Sequence, residues 1–278
     1  MADLVTAYAD DGLQLEGLLW DASSRETGFI LIHGFGSRFY AQVVGRVAEG
    51  LAARGYPAVS GNTRGHDYGT FVVQPDGGTR LVGSAWEDPS EGPLDVAGWV
   101  AWMERRLAPR QMIVIGHSLG AWKVAMYQSQ RRDPRVGGLV LMSPPMAGAP
   151  RGARSEVLDL AQRMVAEGRG DELMPAANNR MGRLSARTVA ARAGGAWPSD
   201  LASLLPGAAV PVLVTYGDKE NESAARLAAL GHLRPAVTGH VIEGGDHNYS
   251  GHWDDLAGRV VRWLEAQAEA QGRAQGGA

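Results

Sequence analysis

The chain contains no cysteine. Disulfides, thiol nucleophiles and cysteine-ligated zinc or iron–sulfur centres are thereby excluded. Nor is there much excess charge: 27 Lys and Arg against 30 Asp and Glu leave a formal charge of −3. Such a balance carries no electrostatic case for nucleic acid or for an anionic membrane as partner. Long hydrophobic runs are missing too. MIVI at 112–115 and LVLM at 139–142 fall far short of the roughly 18 apolar residues that span a bilayer. The opening MADLVTAYADDGLQ carries Asp3, Asp10 and Asp11, with no basic segment ahead of an apolar one. It does not read as a signal peptide, and a cytoplasmic location is expected.

Glycine, by contrast, is abundant. With 38 Gly and 14 Pro, these two residues fill 52 of 278 positions, whereas about 12% would be ordinary. No repeat accompanies them, so position must explain the excess. A hydrophobic fraction of 45% is enough to bury a core.

Short β-branched runs alternate with helical periodicity. GFILI (28–32), PAVS (57–60), QMIVIG (111–116), GGLVLM (137–142), PVLVTYG (211–217) and AVTGHVI (236–242) read as strands. Helices are predicted at about Tyr40–Ala53, Leu94–Leu107, Ala121–Gln130 and His252–Ala268. Nearly continuous apolar strands separated by helices predict a mostly parallel α/β sheet covered on both faces. Leu4–Tyr8 and Leu13–Trp20, joined at Asp11-Gly12, predict an antiparallel hairpin at its start. Residues 70–92 are rich in turn formers and read as a surface excursion. Residues 146–208 show no convincing strand but an amphipathic helix at Glu156–Glu167, so they read as a helical cap inserted before the last two strands. The expected organisation is a core of 1–145 and 209–270, the cap at 146–208, and a flexible tail at 271–278.

The sharpest chemical signal is Gly116-His117-Ser118-Leu119-Gly120 between the strand QMIVI and the helix AWKVAMYQSQ. A serine on a tight strand-to-helix turn is exposed above a sheet as a nucleophile, and the flanking glycines leave it room. Such a serine needs a base, an acid to orient that base, and donors for the oxyanion. His33-Gly34-Phe35-Gly36 follows a strand directly. The backbone N–H groups of Phe35 and Leu119 are the expected donors, and His33 is read as a brace for the loop.

The order HGFG, GHSLG, then a late acid and a late histidine resembles the α/β-hydrolase superfamily over nearly the whole chain. HGFGSRFY, NTRGHDYG, GHSLGAWKVA, LMSPP and GGDHNYSG are similar to a group of bacterial esterase-like serine hydrolases, distantly similar to fungal siderophore esterases. The resemblance implies an α/β-hydrolase fold, no cofactor, no metal, and a small-molecule acyl substrate. Its chain order of serine, acid, histidine implies His247, in the Gly244–Tyr249 loop, as the base. It also implies an acid shortly after Gly217, either Glu220 or, as the alternative, Asp218. Some relatives take the acid from the end of the preceding strand, but Val136–Arg154 holds no Asp or Glu. The implied reaction is hydrolysis of a carboxylic ester, lactone or thioester. Carbon–carbon bond hydrolysis, acyl transfer, or ligand binding without catalysis stand as alternatives in the same fold.

Other residues are read as structural. Arg64-Gly65-His66 is a turn, Trp122 packs beneath the nucleophile, and Ser143-Pro144-Pro145 shapes the pocket rim. Lys123 is expected to be solvated. Asp246 is expected to point away from its neighbour His247. Arg180, Arg183, Arg187 and Arg192 are read as a solvated face of the cap. Met146, Met164, Met174, Met181, Leu184 and Trp197 either bury that cap or line an acyl pocket.

Overall fold

A computed structural model describes residues 1–146, 155–179, 182–193, 200–233 and 237–276. Two strands, β1 (Asp3–Tyr8) and β2 (Gln14–Trp20), pair antiparallel, with Gly12 taking a φ of 82° in the connecting turn. β3 (Thr27–Ile32) is buried along its whole length and leads to α1 (Gln42–Ala53). β4 (Ala58–Gly61) follows, then a small hairpin of β5 (Thr70–Val73) and β6 (Thr79–Val82). α2 (Gly92–Leu107), β7 (Gln111–His117), α3 (Leu119–Arg131) and β8 (Val136–Met142) complete the first part of the core.

The inserted segment contains α4 (Ser155–Ala166), β9 (Leu173–Asn179), β10 (Gly182–Ser185), α5 (Ala186–Ala193) and α6 (Leu201–Ala208). β11 (Val212–Gly217), α7 (Ser223–Leu230), β12 (Val237–Ile242) and α8 (Trp253–Gly276) close the chain.

Eight strands form one sheet in the order β1-β2-β4-β3-β7-β8-β11-β12. The six from β4 to β12 run parallel, and β2 joins them antiparallel through β4. Side chains from α1 and α8 bury one face of the sheet. Those of α2, α3 and α6 bury the other. With both faces covered, the strands can be apolar at every position.

Strand order reverses around β3: β4 lies on one side of it and β7 on the other. Open α/β sheets bind ligands in the crevice at the carboxyl ends of the strands flanking such a switch. The two glycine motifs leave from those strand ends.

Three features differ from the sequence reading. Residues 146–208 are not wholly helical, because β9 and β10 pair antiparallel. α6, counted there with the cap, buries Leu201, Leu204, Leu205 and Ala208 in the main core beside α3. The inserted segment has a small core of its own, formed by Ala161, Met164, Met174, Leu184, Ala186 and Val189, with Phe35 packed against it. Finally, α8 continues through Gly276, where a loose tail was expected from 271. The Ala-, Glu-, Gln- and Arg-rich end of the chain consists mostly of good helix formers.

Candidate active site

Ser118 takes φ 52° and ψ −120°, between β7 and α3. Backbone in that region strains a non-glycine residue by about 1–3 kcal/mol, and such strain persists only where the surroundings enforce it. Here they do. A Cβ on Gly116 would lie 2.4 Å from the carbonyl group of Gly120, and one on Gly120 would lie 2.4 Å from the Ile32 and His33 carbonyl oxygens. Glycine at these two positions lets the elbow close against the end of β3. Leu119 opens α3, so its N–H has no partner within the helix and sits at the helix's positive end.

The loop after β3 lies against the serine. A Cβ on Gly34 would stand 2.9 Å from that of Ser118. His33 is wholly buried. Its Nε2 accepts from the Thr63 N–H at 3.1 Å, so its Nδ1–H donates to the Gly34 carbonyl at 2.7 Å. Burial pushes its pKa well below the ordinary histidine value, and the ring is a neutral brace.

β11 and β12 pair in parallel and deliver the two loops that follow. The backbones of those loops touch: a Cβ on Gly217 would fall 2.2 Å from the Gly245 carbonyl oxygen. Glu220 Oε2 lies 2.7 Å from His247 Nδ1. Its Oε1 accepts from Ser143 Oγ–H at 2.5 Å and from the Gly217 N–H at 3.0 Å. Burial would raise the Glu220 pKa, but the bonds from His247, Ser143 and Gly217 outweigh it and hold the carboxyl below its ordinary value. Asp218 is exposed, and its N–H donates to the Ile242 carbonyl. Asp246 turns its Oδ1 back onto the N–H groups of Asn248 and Ser250.

Sequence reasoning missed three supporting residues. Ser143 was read as rim, yet it is buried at φ 49°, donates to Glu220, and lies 2.8 Å from Tyr249 Oη. Tyr249 Oη also lies 2.9 Å from both the hydroxyl and the carbonyl of Thr215. His117 is buried with Nε2 2.7 Å from the His247 carbonyl oxygen. Burial lowers its pKa to about 4, so the neutral ring donates to that oxygen. The available clue was position: His117 ends β7, beside β3, and Ser143 directly follows β8, beside β11.

Lys123 corrects an expectation. It is fully buried in an ion pair with Glu87 and donates to Thr63 Oγ1 at 2.7 Å. Its position on α3 turns it inward, toward the start of α2, where a Cβ on Gly92 would press on its stem. Arg64 is likewise buried, bonded to Asp95 at 2.8 Å and to Asp11 at 3.0 Å. Trp122 is buried, and its Nε1–H donates to the Pro145 carbonyl.

The cap arginines do not form one solvated face. Arg183 is exposed and Arg187 pairs with Asp171, whereas Arg192 lies over the Phe35 ring, 4.5 Å from its centroid. Arg180, Met181 and Trp197 lie outside the described residues. Among the described residues, no group of three or more His, Asp or Glu side chains is placed to hold a metal ion. No helix there is long and apolar enough to cross a membrane.

Known structures share this arrangement of the chain. DcsB, solved in complex with its substrate analogue, superposes with a TM-score of 0.75 at 16% identity, over 96% of this chain and 99% of that one. The α/β hydrolase GrgF from Penicillium sp. sh18 gives 0.70 at 17% identity, over 97% of each chain. Est1E from Butyrivibrio proteoclasticus gives 0.62 at 17%, covering 95% and 100%. No curated protein sequence matches. The profile of the alpha/beta hydrolase family matches residues 29–263, a span that includes the elbow, the loop after β3 and both late loops; the chain is a member of that family.

Proposed function

We propose that the protein is a serine hydrolase of carboxylic esters, with lactones and thioesters in the same chemical class, acting through an acyl-enzyme on Ser118. The observation that carries this reading is the 2.7 Å contact of His247 Nδ1 with Glu220, in a loop bonded to the residue preceding Ser118.

In this reading Ser118 Oγ attacks the acyl carbon while His247 Nε2 takes its proton. Negative charge gathers on the former carbonyl oxygen, and the N–H groups of Phe35 and Leu119 stabilise it. His247 returns the proton to the departing alkoxide or thiolate, leaving Ser118 acylated. Water then repeats the sequence, with His247 as base, and releases the acid. Glu220 keeps the Nδ1–H tautomer in place and stabilises the imidazolium. Esters suit this machinery better than amides because an alkoxide leaves more readily than an amide anion.

The neighbours lend support at the level of class. Est1E has been solved with ferulic acid bound, and other similar structures are an esterase from Pyrococcus furiosus and a monoacylglycerol lipase from Paleococcus ferrophilus. The test combines a fluorophosphonate probe with a panel of 4-nitrophenyl esters. Labelling and turnover should both vanish in Ser118→Ala, with kcat falling by roughly 10⁶. Labelling that persists in that variant would overturn the assignment.

A further inference from the structure

Arg192, the penultimate residue of α5, brings a guanidinium down onto the oxyanion loop. Its Cζ lies 4.5 Å from the Phe35 ring centroid. Phe35 follows Gly34, the residue packed against Ser118. The guanidinium is therefore stacked on the residue next to the one that packs against Ser118.

Stacking on Phe35 satisfies the flat face of the group but not its edge. Nε and Nη2 are both buried and have no hydrogen-bond partner among the described residues. Those two nitrogens form one edge of the guanidinium, with parallel N–H bonds spaced to meet both oxygens of a carboxylate. Glu87 is the carboxylate that acts electrostatically on Arg192, yet it is already paired with Lys123 and takes no hydrogen bond from it. A buried cation with an unfilled donor edge is costly. Burial depresses the Arg192 pKa accordingly. The other arginine of α5, Arg187, is outside and ion-paired with Asp171, so this helix turns one arginine outward and one inward onto Phe35.

We infer that Arg192 is a specificity residue, and that the preferred substrate is an anionic ester whose acyl part ends in a carboxylate held by Nε and Nη2 of this side chain. The inference deepens the hydrolase reading and rests on it for catalysis. Binding of the carboxylate does not, and this separates the two.

The experiment has a kinetic and a binding arm. Kinetically, 4-nitrophenyl half-esters of glutaric, adipic and suberic acid are compared with 4-nitrophenyl alkanoates of equal chain length. The wild type should favour the anionic member at one of these lengths. In Arg192→Met, which keeps the apolar stem on Phe35, the anionic-to-neutral ratio of kcat/KM should fall at least about tenfold. Arg192→Lys should fall between, since it keeps the charge and loses the fork. For binding, adipate and suberate are titrated calorimetrically into Ser118→Ala with and without Arg192→Met; affinity should be lost with the arginine. A wild type that never favours the half-ester, or a variant in which both esters fall by one factor, overturns the inference in favour of a brace for Phe35. Dicarboxylate binding indifferent to Arg192 overturns it as well. If the protein binds dicarboxylates through Arg192 yet cleaves no ester, the hydrolase reading alone has failed.

Discussion

His117 donates its Nε2–H to the carbonyl oxygen of His247 across 2.7 Å, so the residue before the elbow serine holds the loop that carries the other imidazole. The bond itself favours a charged ring, but burial outweighs it and keeps the ring neutral by lowering the pKa to about 4. Between that value and the ordinary 6.5, the unfolded chain takes up a proton that the folded chain refuses. Stability is then full above about pH 6.5 and declines as the pH falls toward 4, by about 3 kcal/mol for this group. Thermal melts between pH 4 and 7 should show that slope, and a shallower one in His117→Gln. Buried His33, shifted in the same direction, supplies a residual slope in both proteins. Equal slopes would remove His117 from this role.

Glu220, and not Asp218, bears on His247. Glu220→Gln should therefore lower kcat by up to roughly 10⁴, as loss of the orienting carboxylate does in a serine triad. Asp218→Asn should leave kcat near the wild-type value. Steady-state turnover of one chromogenic ester by both variants decides it, and the reverse ranking would reassign the acid.

Ser143 acts through Glu220. Removing its hydroxyl in Ser143→Ala takes a charge-assisted bond from Oε1, and kcat should drop by about tenfold, with KM little changed. Glu220 then titrates at a higher pH, so the loss of activity on acidification sets in earlier as the pH falls. Ser143→Thr, which keeps the hydroxyl, should restore part of the rate. A change confined to KM would make Ser143 a rim residue after all.

Lys123 and Glu87 are a buried ion pair, and breaking one from either side strands a charge. Lys123→Met should cost about 3–5 kcal/mol in denaturant unfolding, while Lys123→Met with Glu87→Leu should recover much of it. A simple sum of the two single losses would show that the residues are not coupled.

Lys123 also marks where the sequence stops being legible. Its helix and its place after Ser118 are plain from apolar periodicity, but its burial depends on Glu87, far earlier in the chain and on no recognisable motif. The parallel strands were legible because both of their faces are covered, which makes runs such as FILI and MIVI apolar throughout. β9 was not: LMPAANN has Pro175 and two asparagines and no alternation, so the pairing with β10 supplies what propensity does not. Counting residues past Gly217 left two acids open. In the structure Glu220 is the one that meets His247 Nδ1, and the Gly217 N–H reaches its Oε1 at 3.0 Å.

The register of β3 on β7, with Ile32 opposite Gly116, sets how far the loop after β3 stands from the elbow. One inserted residue in either strand would advance its end by about 3.3 Å and turn every following side chain to the opposite face. Insertions into these two strands should abolish function outright, whereas the same insertion at the tip of the β5–β6 hairpin should be tolerated. The molecule's freedom to vary in length is thus partitioned by strand pairing, and none of it falls where Ser118 meets Gly34.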